Sequence, residues 1–118
     1  MNIIVDRPRL VRAVLQYLNT KFGNLTPKIR KGDSDSIFPG SIFYVDSNNR
    51  PFFEFEENGS VWVSYRDIFS VVQKYFCLSR ENTELIIKYW LSETYNLKNI
   101  VVKTDSILPL STWDMKIL

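Results

Sequence analysis

The stretch that specifies a β-sheet is IFYVDSNNRPFFEFEENGSVWVSY, residues 42–65. It contains three short runs rich in aromatic and β-branched residues, which favour strands. These runs are Ile42 to Val45, Phe52 to Glu56 and Val61 to Tyr65. Asn58-Gly59 is a strong signal for a two-residue hairpin turn, and Asn48-Asn49 marks the turn before it. The stretch therefore predicts a three-stranded antiparallel meander.

The two turns also predict the faces of this meander. A two-residue turn at Asn58-Gly59 places Phe55 opposite Trp62, and the earlier turn places Tyr44 opposite Phe53. The face predicted to pack on helices carries Ile42, Tyr44, Phe53, Phe55 and Trp62. The second face carries Phe43, Val45, Phe52, Glu54, Glu56, Val61 and Val63. This second face is too apolar to be a fully solvent-exposed surface and too acidic to be an ordinary hydrophobic core.

Helical periodicity flanks the meander on both sides. Before it, one apolar stripe recurs every four residues from Leu10 to Phe22 and predicts an amphipathic helix that ends at Gly23. After it, Ser64 and Ser79 are expected to cap two further helices, the second of which ends at Asn96. The predicted buried stripe of that last helix is Leu85, Ile86, Tyr89, Trp90 and Tyr95.

The run Ile100-Val101-Val102 follows the last helix and reads as a short fourth strand at a sheet edge. The order α-β-β-β-α-α-β predicts an α+β fold, with three helices over one face of an antiparallel sheet.

With 118 residues, of which 45% are hydrophobic and 24% charged, the chain has the composition of one ordinary globular domain. We expect residues 1–118 to form a single domain. Residues 23–40 contain several Gly and Pro residues and are predicted to be a long loop. Residues 104–118 are predicted to be an apolar C-terminal tail that docks either on this domain or on a partner.

Residue types that are missing argue against an enzyme. There is no histidine and only one cysteine, Cys77, so Ser-His-Asp and Cys-His catalysis, His-containing zinc sites and an intramolecular disulfide are excluded. We expect no metal and no cofactor. A lone cysteine fits an intracellular location, and neither a signal peptide nor an apolar run long enough to span a membrane is visible.

The chain carries more apolar residues than one buried sheet face needs. Phe43, Val45, Phe52 and Val63 are predicted as one contact patch for a partner, and Leu108, Trp113 and Ile117 as another. The predicted function is a small non-enzymatic protein–protein interaction module, an accessory or structural subunit of a larger assembly such as a viral or phage particle. The partner is expected to be another protein or a second copy of the chain.

The basic N-terminal third suggests an alternative function. Residues 1–31 hold seven basic residues and one acidic residue, although the net charge of the whole chain is only +2. Such an excess of positive charge can bind a phosphate backbone. In this alternative the contacts to nucleic acid are Arg9, Arg12, Lys28, Arg30 and Lys31.

Overall fold

The computed structural model describes residues 7–30, 41–105 and 115–117. In this part of the chain, three helical elements lie on one side of a mixed β-sheet with five main strands and a short sixth strand. The strands are β1 (Thr26–Arg30), β2 (Ile42–Val45), β3 (Pro51–Phe55), β4 (Ser60–Ser64), β5 (Val101–Asp105) and β6 (Met115–Ile117). The helices are α1 (Arg7–Phe22), α2 (Ser70–Tyr75) and α3 (Arg80–Tyr95), and a π-helical segment, Tyr65–Phe69, leads into α2.

The strand order across the sheet is β5-β4-β3-β2-β1-β6. The fourth strand predicted after the last helix is confirmed as β5, and it lies at an edge of the described sheet. The prediction of a wholly antiparallel sheet was wrong, because β5 pairs with β4 in parallel. The chain passes through α2 and α3 between these two strands, and parallel neighbours require a crossover of this kind.

Two further strands come from regions predicted to lack regular structure. Residues Thr26–Arg30, inside the predicted loop 23–40, form β1 between β2 and β6. Their local signal is weak because Pro27 cannot donate a ladder hydrogen bond, so pairing with distant strands makes this segment a strand. Residues 31–40 lie outside the described part of the chain. In the predicted tail, Thr104 belongs to β5, and Met115–Ile117 form β6 against β1.

The predicted register of the first hairpin is confirmed, and that of the second is wrong by one residue. Tyr44 pairs with Phe53 as expected, but Val61 rather than Trp62 lies opposite Phe55. The turn has three residues between Glu56 and Ser60, with the Gly59 amide donating to the Glu56 carbonyl at 2.9 Å. Gly59 has φ +91°, a conformation that favours glycine. The extra turn residue exchanges the two faces of β4.

The predicted helix boundaries after the meander are confirmed. The hydroxyl of Ser64 accepts from the Asp67 amide at 3.1 Å, and that of Ser79 accepts from the Asn82 amide at 3.1 Å. Asn96 ends α3 in the left-handed conformation, with φ 58°. Residues that cap through their own side chains or adopt this conformation carry strong local information, which explains why sequence alone located these ends.

The core lies between the sheet and the helices, and α1 supplies the predicted stripe, with Val14, Leu18 and Phe22 buried. Helix α3 is fastened to α1 by the Trp90 indole N–H, which donates to the Asn19 side-chain oxygen at 2.8 Å. The Tyr95 hydroxyl accepts from the Leu25 amide at 3.0 Å and donates to the Phe22 carbonyl. These bonds hold the C-terminal end of α3 against the end of α1.

Stability is expected to fall as the pH rises above about 10, because burial raises the pKa of Tyr44 and Tyr95 above the ordinary value of 10.0. The unfolded chain releases these protons near pH 10 and the folded chain retains them. The two tyrosines therefore make their full contribution to the free energy of unfolding below that pH. The contribution is lost as the pH rises through their pKa values in the folded chain. Urea unfolding between about pH 8 and pH 11 measures the effect.

Tyr95→Phe serves as the matched variant for this measurement. It leaves the Leu25 amide and the Phe22 carbonyl without the hydroxyl, so we expect its free energy of unfolding to be about 1–3 kcal/mol lower at neutral pH. Its further loss at alkaline pH should be smaller than that of the original chain, since one raised pKa is gone. If the free energy of unfolding fell equally in the two proteins at alkaline pH, the raised pKa of Tyr95 would be contradicted.

Candidate interaction surface

The predicted patch of Phe43, Val45, Phe52 and Val63 is not an exposed surface, because all four side chains are buried. Val63 pairs with Phe53 and belongs to the core beneath the helices, as the corrected register requires. Phe52 sits where the β2–β3 register shifts, and its ring packs 5.0 Å from that of Phe22 in α1. Phe43 and Val45 alternate to the other side of the sheet from Tyr44 and are fully buried there.

The second predicted patch is described only in part. Leu108 and Trp113 lie outside the described residues. Ile117 is in β6, where its backbone pairs with Lys28 of β1. This segment of the predicted tail thus contributes a strand to the sheet of its own chain.

The basic residues of the alternative site are not gathered on one surface. Arg9 and Arg12 are exposed on α1, which packs on the helix side of the sheet. Lys28 is paired with Phe43, on the opposite side of the sheet, and its ammonium donates to the Asn49 side-chain oxygen. Arg30 ends β1 beside Met115, and Lys31 lies outside the described residues. The sheet itself separates Arg9 and Arg12 from Lys28.

The predicted buried stripe of α3 is correct in part, because Trp90 is buried and Ile86 and Tyr95 pack against the core. The residues buried on this helix are Thr83, Ile87, Trp90 and Leu91. Leu85 and Tyr89, predicted to be buried, are 63% and 50% exposed. Leu85 and Tyr89 were misplaced because Thr83, a polar residue that donates to the Ser79 carbonyl at 2.7 Å, was not recognised as part of the buried stripe. The spacing 83, 87, 90 and 91 was the available signal.

The exposed residues of α3 border a groove along β5. The groove has a volume of about 360 Å³. We call it the α3–β5 surface, and it is lined by Glu81, Glu84, Leu85, Lys88, Ile100, Val101 and Val102. Val101 is 58% exposed and shares the face of Lys103, away from the helices, so exposed Leu85 and exposed Val101 lie on the two sides of the β5 edge.

The outer edge of β5 adjoins the same groove. Among the described strands, none pairs with that edge, since β4 is the only described neighbour of β5. The inner edge is held firmly: five residue pairs join β5 to β4, from Ser60 with Val101 to Ser64 with Asp105. An ordered edge strand with free backbone groups can pair with a strand from another chain.

Aromatic and charged side chains on the sheet face away from the helices further position β5. The Lys103 ammonium lies 5.3 Å from the centroid of the Trp62 ring. The Trp62 indole N–H in turn donates to the Glu56 carboxylate. These contacts connect the turn after β3 with β4 and β5, so side chains as well as backbone bonds hold β5 against β4.

Charge is arranged along the α3–β5 surface with acids at one end. Arg80 lies 3.5 Å from the Glu84 carboxylate and also donates to the Thr104 hydroxyl at 3.2 Å. In the part of the chain that the structure describes, Glu81 and Lys88 form no ion pair. The surface therefore offers one unneutralised acid and one unneutralised base, separated by the apolar side chain of Leu85.

The fold and this surface define an α+β protein with a mixed sheet whose β5 edge is open in the described structure. No protein family, curated protein or solved structure matches the chain. None of the described helices has the length and apolar character needed to cross a membrane. Within residues 7–30, 41–105 and 115–117, no three His, Cys, Asp or Glu side chains are grouped to hold a metal ion.

Proposed function

We propose that this chain is a non-enzymatic protein–protein interaction module, and that its contact site is the α3–β5 surface. The observation that carries the proposal is the edge of β5 that no other described strand pairs with, flanked by exposed Leu85 on the helix side and by exposed Val101 on the other face. Isolated apolar side chains are common on protein surfaces, but an apolar groove beside an unpaired strand is suited to an extended segment. In a larger assembly the chain would act as an accessory or structural subunit.

The recognition mode follows from the two components of the surface. The edge of β5 supplies backbone N–H and C=O groups that pair with any extended chain. Leu85 and Val101 supply apolar contacts that select the side chains of that segment. Affinity therefore depends on both backbone pairing and burial of these two residues, as in strand addition generally. Binding of nucleic acid is supported less well, because Arg9 and Arg12 lie on the helix side of the sheet and Lys28 lies on the other side.

A peptide library displayed on phage tests this proposal. We expect the full chain to select extended peptides with alternating apolar residues, and Leu85→Glu to weaken their binding about 30-fold, as loss of a central apolar contact does. Isothermal titration calorimetry measures the affinities. Tyr75→Glu is the matched control, because Tyr75 is 73% exposed on α2 and does not line the groove. If Leu85→Glu leaves the affinity of the selected peptides unchanged, the proposal is contradicted.

A further inference from the structure

We infer that the occupant of the α3–β5 surface is a second copy of this chain, with the two β5 strands paired antiparallel about a two-fold axis. This inference rests on the proposed function, because it assigns a partner to the same surface. A two-fold contact requires a surface that is complementary to itself. Three features are self-complementary in this way: the backbone of β5, its strand register and the charges of α3.

The backbone of β5 is oriented for such a pairing at Val102. The Val101 N–H donates to the Gly59 carbonyl at 3.0 Å, toward the β4 side. Because the backbone groups of successive strand residues point in opposite directions, those of Val102 and Thr104 point to the open edge. With the axis at Val102, the two Val102 residues exchange both N–H···O=C bonds.

The side chains of β5 favour this register over those with the axis farther toward the end of the strand. With the axis at Val102, exposed Val101 lies opposite Lys103 of the second copy, whose aliphatic stem can cover it. An axis at Lys103 would place two lysines directly opposite each other, which destabilises a strand pair. An axis at Thr104 would bring together the two copies of Arg80, which donates to Thr104.

Helix α3 is complementary to itself in the same arrangement. It runs antiparallel to β5, since Arg80 contacts Thr104 near the end of the strand. From the Arg80–Thr104 contact, five residues along the helix lead to Leu85, and two residues back along the strand lead to Val102. Both distances are about 7 Å, so Leu85 lies level with Val102, close to the axis. The two Leu85 side chains then face each other. Glu81, four residues before Leu85, lies beside Lys88 of the second copy, three residues after it, and both charges gain a partner.

Sedimentation equilibrium on the full chain measures the association directly. We expect a dimer, and we expect Leu85→Glu to raise its dissociation constant about 30-fold or more. Tyr75→Glu, remote from the groove, should leave the dissociation constant unchanged. Circular dichroism of each variant establishes that its helices and sheet are retained.

A charge exchange tests the register independently of folding. Glu81→Lys and Lys88→Glu should each weaken the dimer, because each places like charges together across the axis. The double variant E81K/K88E should restore association, since it only reverses the two ion pairs. Equal weakening in the double variant and in the single variants would overturn the register.

Cross-linking tests whether the two copies of residue 85 lie close together. In a Cys77→Ser background, Leu85→Cys should be joined to its second copy by a short bis-maleimide, whereas Tyr75→Cys should not. A chain that remains monomeric at about 1 mM, or a dimer unaffected by Leu85→Glu, overturns the inference. In both of these cases, peptides whose binding depends on Leu85 would still support the proposed function.

Discussion

Replacement of Trp90 by alanine is expected to lower the free energy of unfolding by about 3–5 kcal/mol. The side chain is 1% exposed and meets the rings of Phe53 and Tyr95 edge to face, at 6.1 and 5.6 Å. The substitution leaves a large cavity between sheet and helices, and it also removes the indole donor from Asn19. Urea unfolding followed by far-UV circular dichroism measures the loss.

Two variants separate the contributions of Trp90. Trp90→Phe keeps a six-membered ring but loses the rest of the indole and the hydrogen bond to Asn19, so we expect an intermediate cost of about 2–3 kcal/mol. Tyr75→Ala, at a site that is 73% exposed, should change stability by less than about 1 kcal/mol. A Trp90→Ala chain as stable as Tyr75→Ala would show that α3 does not pack on the sheet through Trp90.

Val63→Asp is expected to leave most of the chain unfolded. Val63 is fully buried beneath the helices, and an unpaired carboxylate there costs several kcal/mol, a large part of the stability of a small domain. Val63→Thr keeps the shape and should cost only about 1–2 kcal/mol. Thermal unfolding of both variants, followed by circular dichroism, gives the comparison.

The same pair of variants discriminates between the two registers of β4. With a two-residue turn at Asn58-Gly59, Val63 would lie opposite Glu54 on the face away from the helices. A cooperatively folded Val63→Asp chain of nearly unchanged stability would favour that register. The structure instead pairs Glu54 with Trp62, which brings Trp62 beside Lys103 on the outer face.

The proposed interaction surface was not predictable in the same way as the helix ends. Apolar content alone pointed to a contact patch, and the residues then chosen, Phe43 and Val63 among them, proved to be buried. Leu85 and Val101 were missed because an apolar residue in a helix or strand has the same local pattern whether a neighbour covers it or not. Their exposure depends on how α3 is rotated and on β5 being an edge strand.

Local sequence was sufficient for the features that depend on neighbouring residues. The α1 stripe, the caps at Ser64 and Ser79, the left-handed Asn96 and the first hairpin all follow from interactions within a few positions. Long-range packing was needed for the others. The Thr26–Arg30 strand, the parallel β4–β5 pair and the exposed face of α3 depend on contacts between residues far apart in the chain. Such contacts leave no local periodicity, because backbone pairing accepts almost any side chain and burial depends on which element lies opposite.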